Sequence, residues 1–245
     1  MVKGRDSVLK IFGNEEAVAK EIAKEMNVQL QTENNPVFCL ASGSTPQKSY
    51  LQFAQLLTDR SSLGKLQIVS LDEWVGIPCH AKGSCYQMLK EDLFSLIELD
   101  DKHIEFFNGM AENLQDECGR IDQFILKNPI TFSLMGVGMN GHIGLNEPGS
   151  AVLDHSSVIP LSETTKNVAQ KYFDKPTHLS EGITLGLKQI IASSRVIVAI
   201  TGEHKASMVK QLFEEPEAKL PAQELLGYEH IDFYLDQAAA KALNK

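Results

Sequence analysis

Five short, near-continuously apolar runs set the terms on which this chain can fold: Val37–Ala41, Leu66–Leu71, Ile130–Met135, Val196–Ile200 and Ile231–Tyr234. A strand exposed on one face alternates apolar with polar residues, whereas a strand covered on both faces need not, so these runs read as interior strands of a parallel sheet. Helical patterns fill the intervals. Asn14–Met26 sets Val18, Ile22 and Met26 on one face with Asn14 at its N-cap, and Pro46–Leu57, Ser84–Leu96, Glu112–Lys127 and His204–Phe213 also read as helices. Alternation of this kind requires right-handed βαβ crossovers. The expected fold is α/β: a doubly wound, mostly parallel sheet with helices on both faces, Rossmann-like in layout.

With no linker, low-complexity tract or internal repeat, and 43% hydrophobic residues in 245, residues 1–245 are expected to form a single domain. The formal charge of −9 and the lack of a long basic run argue against nucleic acid, whose phosphates require clustered Lys and Arg. No apolar run reaches membrane-spanning length and no N-terminal stretch has a secretory pattern, so a cytoplasmic protein with no membrane partner is expected. Cys39, Cys79, Cys85 and Cys118 form no CxxC pair and no Cys/His cluster of ligand spacing. They read as ordinary thiols, and no metal is expected.

In doubly wound sheets ligands bind beyond the carboxyl ends of the strands. Four such junctions here are polar and glycine-rich. In Ser42-Gly43-Ser44-Thr45-Pro46, Thr45 is expected to cap a helix starting at Pro46, leaving the amides of Gly43 and Ser44 free for an anion. On its own, this stretch reads better as a plain βα turn with a good cap. Lys205, in Thr201-Gly202-Glu203-His204-Lys205, follows the next-to-last strand where an ammonium could pair with the same anion. Lys171 is a second candidate, and for both the alternative is a solvated surface charge.

Asp72 and Glu73 follow Leu66–Leu71, and neighbouring carboxylates at a strand end can face different surroundings. A partly desolvated Asp72 would be shifted toward neutrality, as suits a general base; the alternative is a pair that merely caps a turn. Gly136–Glu147, read GVGMNGHIGLNE, presents His142 with Glu147 five residues on. The surrounding glycines, Gly138 among them, permit close approach of a ligand to the backbone, and the pair has the layout of an oriented acid/base imidazole.

Ser42–Pro46, Leu71-Asp72-Glu73-Trp74-Val75-Gly76, the GVGMNGHIGLNEPG stretch from Gly136 to Gly149, and Gly202-Glu203-His204-Lys205-Ala206 together resemble the glucosamine-6-phosphate deaminase (isomerase) family in order and spacing across nearly the whole chain. The resemblance implies an aldose–ketose isomerisation coupled to loss of ammonia, with an amino-sugar 6-phosphate and water giving a ketose 6-phosphate, and no metal or redox cofactor. It assigns Asp72 as the base moving a proton between C2 and C1, His142 as the ring-opening residue and Glu147 as the carboxylate orienting it. Ser44, Thr45, Lys205 and Lys171 fall on positions that hold the 6-phosphate.

Three departures qualify this transfer. Asn140 stands where many members carry an aspartate, so it can orient His142 by hydrogen bonding but supplies no charge, leaving Glu147 as the main anionic partner. Lys171 stands where an arginine is usual, losing the bidentate fork. Ala151–Ile159 lacks the basic residues of allosterically regulated members, so no activation by N-acetylglucosamine 6-phosphate is expected, and the protein is expected to be a monomer or small homo-oligomer. Glucosamine 6-phosphate giving fructose 6-phosphate is the favoured reaction. The alternatives are galactosamine 6-phosphate giving tagatose 6-phosphate, 6-phosphogluconolactonase, and a non-catalytic sugar-phosphate sensor.

Overall fold

The computed structural model describes residues 8–58 and 60–244. Seven strands form one wholly parallel sheet: β1 (Leu9–Phe12), β2 (Val37–Leu40), β3 (Gln67–Ser70), β5 (Ile104–Glu105), β6 (Phe132–Gly136), β9 (Arg195–Ile200) and β10 (Ile231–Asp236). Their order across the sheet is β1-β10-β9-β6-β2-β3-β5. Successive side chains of a strand point to opposite faces, and the apolar runs feed two separate cores accordingly. Val37, Cys39, Val69, Met135, Val198 and Phe233 pack on one face. Phe38, Leu40, Ile68, Leu134, Ile197 and Tyr234 pack on the other.

Helices cover both faces. On the Phe38 side lie α1 (Glu15–Thr32), α2 (Gln47–Leu56) and a helical stretch made of α3 (Cys85–Leu89), a π-helical turn (Lys90–Phe94) and α4 (Ser95–Ile97). On the Val37 side lie α5 (Leu114–Lys127), α7 (Leu187–Ile191) and α8 (Ala206–Glu214). Asn14 caps α1 as its sequence predicts, accepting from Ala17 N at 2.9 Å. The expected helix over Ser84–Leu96 is interrupted by the π turn, and Ser84 is its cap rather than its first residue.

Three strands outside the apolar runs form a separate antiparallel sheet in the order β4-β8-β7: β4 (Asp72–Trp74), β7 (Ser157–Pro160) and β8 (Glu181–Thr184). Asp72 lies opposite Thr184 in this register. The remaining helix, α6 (Glu163–Ala169), follows β7. Among the described residues no helix is long and apolar enough to cross a membrane.

Candidate active site

The direction in which the parallel strands succeed one another reverses between β2 and β6, which opens a crevice beyond their carboxyl ends. A cavity of about 510 Å³ lies there, and all four polar junctions contribute to it.

The turn after β2 needs Gly43 for two reasons. Its φ is +92°, and a Cβ there would lie 2.7 Å from the hydroxyl of Tyr172. Ser44 and Thr45 line the cavity, and Lys171 brings its ammonium to 3.5 Å from Ser44 Oγ. Thr45 does not cap α2, contrary to expectation. The Pro46 carbonyl accepts the first helical bond, from Tyr50 N at 3.1 Å, so Pro46 itself is the cap residue and the helix begins at Gln47. The Thr45 side chain instead lies toward Gly136 at the end of β6.

After β9 the chain turns at Gly202, φ +90°, whose N–H is held by both carboxylate oxygens of Asp236 at 3.1 Å. This sets Lys205 at the cavity wall, buried, with its ammonium donating to the Val137 carbonyl at 2.5 Å. Burial, with the charge of Lys171 adding to it, pulls the Lys205 pKa down to about 8. A lysine kept largely cationic in so dry a setting is poised to pair with an anion.

Asp72 and Glu73 are both buried, and as residues of a strand their side chains go to opposite sides. Asp72 lines the cavity, and burial pushes its carboxyl up to about 6, opposed by a hydrogen bond from the Cys85 thiol. Glu73 turns away and accepts the N–H groups of Trp74 (2.8 Å), Cys85 (2.9 Å) and Tyr86 (3.0 Å). Burial raises its carboxyl to about 7 against those three bonds.

His142 sits over Gly138: a Cβ at position 138 would lie 2.2 Å from the imidazole Cε1. Asn140 Nδ2 donates to Glu147 Oε2 at 2.8 Å and to Ser162 Oγ at 3.1 Å, which turns Asn140 Oδ1 toward His142 Nδ1 at 2.7 Å. Since Oδ1 only accepts, Nδ1 carries the proton and Nε2 keeps a lone pair. Burial holds the imidazole below its ordinary pKa, the Glu147 charge opposing and the Lys205 charge assisting. Glu147 Oε2 is 3.8 Å from Nδ1, so the expected direct carboxylate–imidazole pairing is replaced by an Asn140 bridge. Glu147 acts on the ring by fixing the Asn140 amide.

The structure thus gathers Gly43, Ser44, Thr45, Asp72, Gly138, His142, Lys171 and Lys205 around one cavity, with Asn140 and Glu147 directly behind His142. Several contributors carry no signal in their local sequence. Thr165 Oγ1 lies 3.2 Å from His142 Nδ1, Ser162 holds both Asn140 and Glu147, and Cys85 lines the cavity beside Asp72. Ser162 and Thr165 show only the spacing of a helix cap, and a lone cysteine reads as core. Chemically, the cavity offers a cation and backbone amides for an anion, a carboxylate near neutrality and a neutral imidazole with a free nitrogen.

Residues 14–231 match the family described as glucosamine-6-phosphate isomerases/6-phosphogluconolactonase. Proteins named glucosamine-6-phosphate deaminase from Bacillus cereus (strain B4264) and Bacillus cytotoxicus are 31% and 30% identical over 229 and 234 residues, covering 91% and 94% of this chain and 84% and 86% of theirs. A solved structure of a monomeric glucosamine-6-phosphate deaminase superposes with a TM-score of 0.91 at 26% identity, over 96% of this chain and 100% of that one. The 6-phosphogluconolactonase of Trypanosoma cruzi shares the fold, with a TM-score of 0.78 at 18% identity over 100% of this chain and 99% of that one. With the family match running from α1 to the start of β10, the chain belongs to the glucosamine-6-phosphate isomerase/6-phosphogluconolactonase family.

Proposed function

We propose that this protein converts an amino-sugar 6-phosphate and water to a ketose 6-phosphate and ammonia, with glucosamine 6-phosphate as substrate and fructose 6-phosphate as product. One observation carries the reading: a buried carboxylate at a pKa of about 6 and a neutral, tautomer-fixed imidazole open onto the same cavity as a buried ammonium. The phosphate is bound by Lys205, Ser44 and Thr45, by the amides of the Gly43 turn, and by Lys171 from the rim. His142 Nε2 takes a proton from the sugar's anomeric hydroxyl and returns one to the ring oxygen, exposing the C1 aldehyde. Asn140 and Glu147 keep the ring in the tautomer that allows this, and Gly138 leaves it room.

Opening the ring makes the C2 proton acidic, since it lies next to a carbonyl. Asp72 removes that proton and delivers it to C1, while O1 gains a proton and the amine nitrogen gives one up, so the double bond passes from C1–O1 to C2–N and leaves an imine at C2. Water adds at C2, ammonia departs, and the ketose 6-phosphate remains. Every proton taken is returned, and no oxidant or reductant enters.

The lactonase alternative needs a base for water but not a residue shuttling hydrogen between adjacent carbons. The relatives named as deaminases and the Asn140–Glu147 support behind His142 favour the isomerase. The test is an assay of ammonia release from glucosamine 6-phosphate and from galactosamine 6-phosphate beside hydrolysis of 6-phosphogluconolactone. Ammonia from the glucosamine epimer supports the proposal. Ammonia only from the galactosamine epimer moves the substrate to its C4 epimer, lactone hydrolysis alone moves the reaction to the other branch of the family, and binding without turnover leaves a sensor.

A further inference from the structure

Helix α6 meets the cavity at Thr165, and the hydrogen bonds around that side chain decide where its proton can go. Thr165 is 4% exposed and lines the cavity. Its Oγ1 lies 3.1 Å from Ser162 Oγ and 3.2 Å from His142 Nδ1. Asn140 gives away both of its amide protons, one to Glu147 Oε2 and one to Ser162 Oγ. That amide orientation has a second support, since the backbone N–H of His142 points at Asn140 Oδ1 from 3.3 Å. Ser162 Oγ accepts from Asn140 and, as the cap of α6, from Thr165 N at 3.2 Å. A hydroxyl has two lone pairs and one proton, so both Ser162 lone pairs are in use and its proton goes to Thr165 Oγ1. His142 Nδ1 already carries a proton, held by Asn140 Oδ1 at 2.7 Å. Thr165 therefore cannot donate to that nitrogen and receives only the weaker arm of its N–H.

The Thr165 proton is left without an acceptor among the described residues, and the open side of the residue faces the cavity. Thr165 is thus a hydroxyl that can give a hydrogen bond to a ligand and has no free lone pair to receive one. Its place along the cavity is set as well. The helix runs directly on into the 3₁₀ turn Gln170–Tyr172, which brings Lys171 to the rim beside Ser44. One helical segment therefore reaches the anion end of the cavity through Lys171 and the imidazole end through Thr165.

We infer that Thr165 is a substrate-binding residue whose hydroxyl donates to O1 of the opened sugar, with Ser162 directing its proton there. The inference rests on the reading of His142 as the ring-opening residue. Of the two sugar oxygens that His142 serves in that reading, the ring oxygen gains a proton on opening and O1 loses one. O1 becomes a carbonyl oxygen that can only accept, the complement of a hydroxyl that can only donate. As the C2 proton leaves, negative charge builds on O1, and a donor already in place stabilises that charge more than it stabilises the bound substrate. Thr165 keeps its own proton throughout.

The test is steady-state kinetics of wild type, Thr165→Val and Thr165→Ser on glucosamine 6-phosphate, beside nitrogen-15 NMR of His142 in each unliganded protein. Thr165→Val keeps the shape and deletes the hydroxyl. It is expected to lower kcat on the order of 10²-fold with KM little changed, and Thr165→Ser to recover most of the loss. The NMR is expected to find the imidazole proton on Nδ1 in all three proteins, since Asn140 holds it there. Wild-type kcat in Thr165→Val, a loss confined to KM, equal losses in both variants, or a proton moved to Nε2 in Thr165→Val would overturn the inference.

Neutron diffraction from crystals of the unliganded wild type grown in heavy water tests the proton order without turnover. The Ser162 deuteron is expected on the line to Thr165 Oγ1, and the Thr165 deuteron in the cavity. A Thr165 deuteron aimed at His142 Nδ1 would overturn the inference even if the variants failed to fold. A wild type inactive on every amino sugar would sink the proposed reaction, while the neutron result would still decide whether Thr165 is a donor into the cavity.

Discussion

At Asp72, burial and chemistry pull in opposite directions. The carboxyl pKa of about 6 lies above the ordinary 3.8, so the folded chain holds this proton more tightly than the unfolded one. The associated stability is present below about pH 4 and is lost as the pH rises through 6, leaving an ionised group that weakens the fold at neutrality. Asp72→Asn is therefore expected to raise the unfolding free energy at pH 7 by up to about 3 kcal/mol, read from denaturant midpoints, while abolishing turnover. An unchanged or lower midpoint would mean that the carboxyl is better solvated than its setting implies. Gly138 makes a sharper claim about space. Its backbone is not in the left-handed region, so Gly138→Ala is expected to fold normally, yet the new methyl must displace the His142 ring. We expect kcat to fall on the order of 10²-fold with the unfolding midpoint little changed, as steady-state kinetics beside thermal denaturation would report. The four junction motifs made Asp72, His142 and Lys205 visible in the sequence. The Asn140 bridge was only half visible, because which partner bonds Nδ1 depends on an amide orientation that Glu147 and Ser162 impose from elsewhere in the chain.

Among the elements, the small antiparallel sheet joins the two halves of the site. Thr184, on β8 opposite Asp72, accepts from Leu145 N at 3.1 Å and donates to the Leu71 carbonyl at 3.3 Å, tying the His142 loop to the residue just before the proposed base. Thr184→Val keeps the shape and deletes the hydroxyl. We expect it to cost about 1–3 kcal/mol in chemical denaturation and to lower kcat more than it raises KM. A variant with wild-type kcat would show that the tie is structural only. The runs that became β2, β3, β6, β9 and β10 were legible because both of their faces are covered. Asp-Glu-Trp, Glu-Gly-Ile-Thr and Ser-Val-Ile-Pro were not, since three or four residues of mixed polarity become strands only through partners distant in sequence. The edge strand β1 was missed for a related reason: Leu9 and Ile11 stay exposed, and the strand is defined by its pairing with β10.

Across the whole molecule, a wholly parallel sheet delivers every strand end to one edge, which is why residues from 43 to 205 meet in one cavity. Their ionisations then shape a single pH profile. The proposed reaction requires Asp72 ionised and Lys205 charged, so kcat/KM is expected to be bell-shaped with limbs near pH 6 and 8, the alkaline limb arising from a rise in KM as the proposed phosphate contact weakens. An alkaline limb confined to kcat would separate Lys205 from the phosphate. The central claim is that Asp72 carries hydrogen from C2 to C1 of an opened amino sugar. Glucosamine 6-phosphate deuterated at C2, followed by proton NMR with wild type and Asp72→Asn, tests it most directly. The wild type is expected to lose the C2 label to C1 of the ketose or to solvent as ammonia appears, whereas Asp72→Asn binds the sugar and leaves C2 untouched. Retention of the label through wild-type turnover, or its continued loss in Asp72→Asn, would contradict the account.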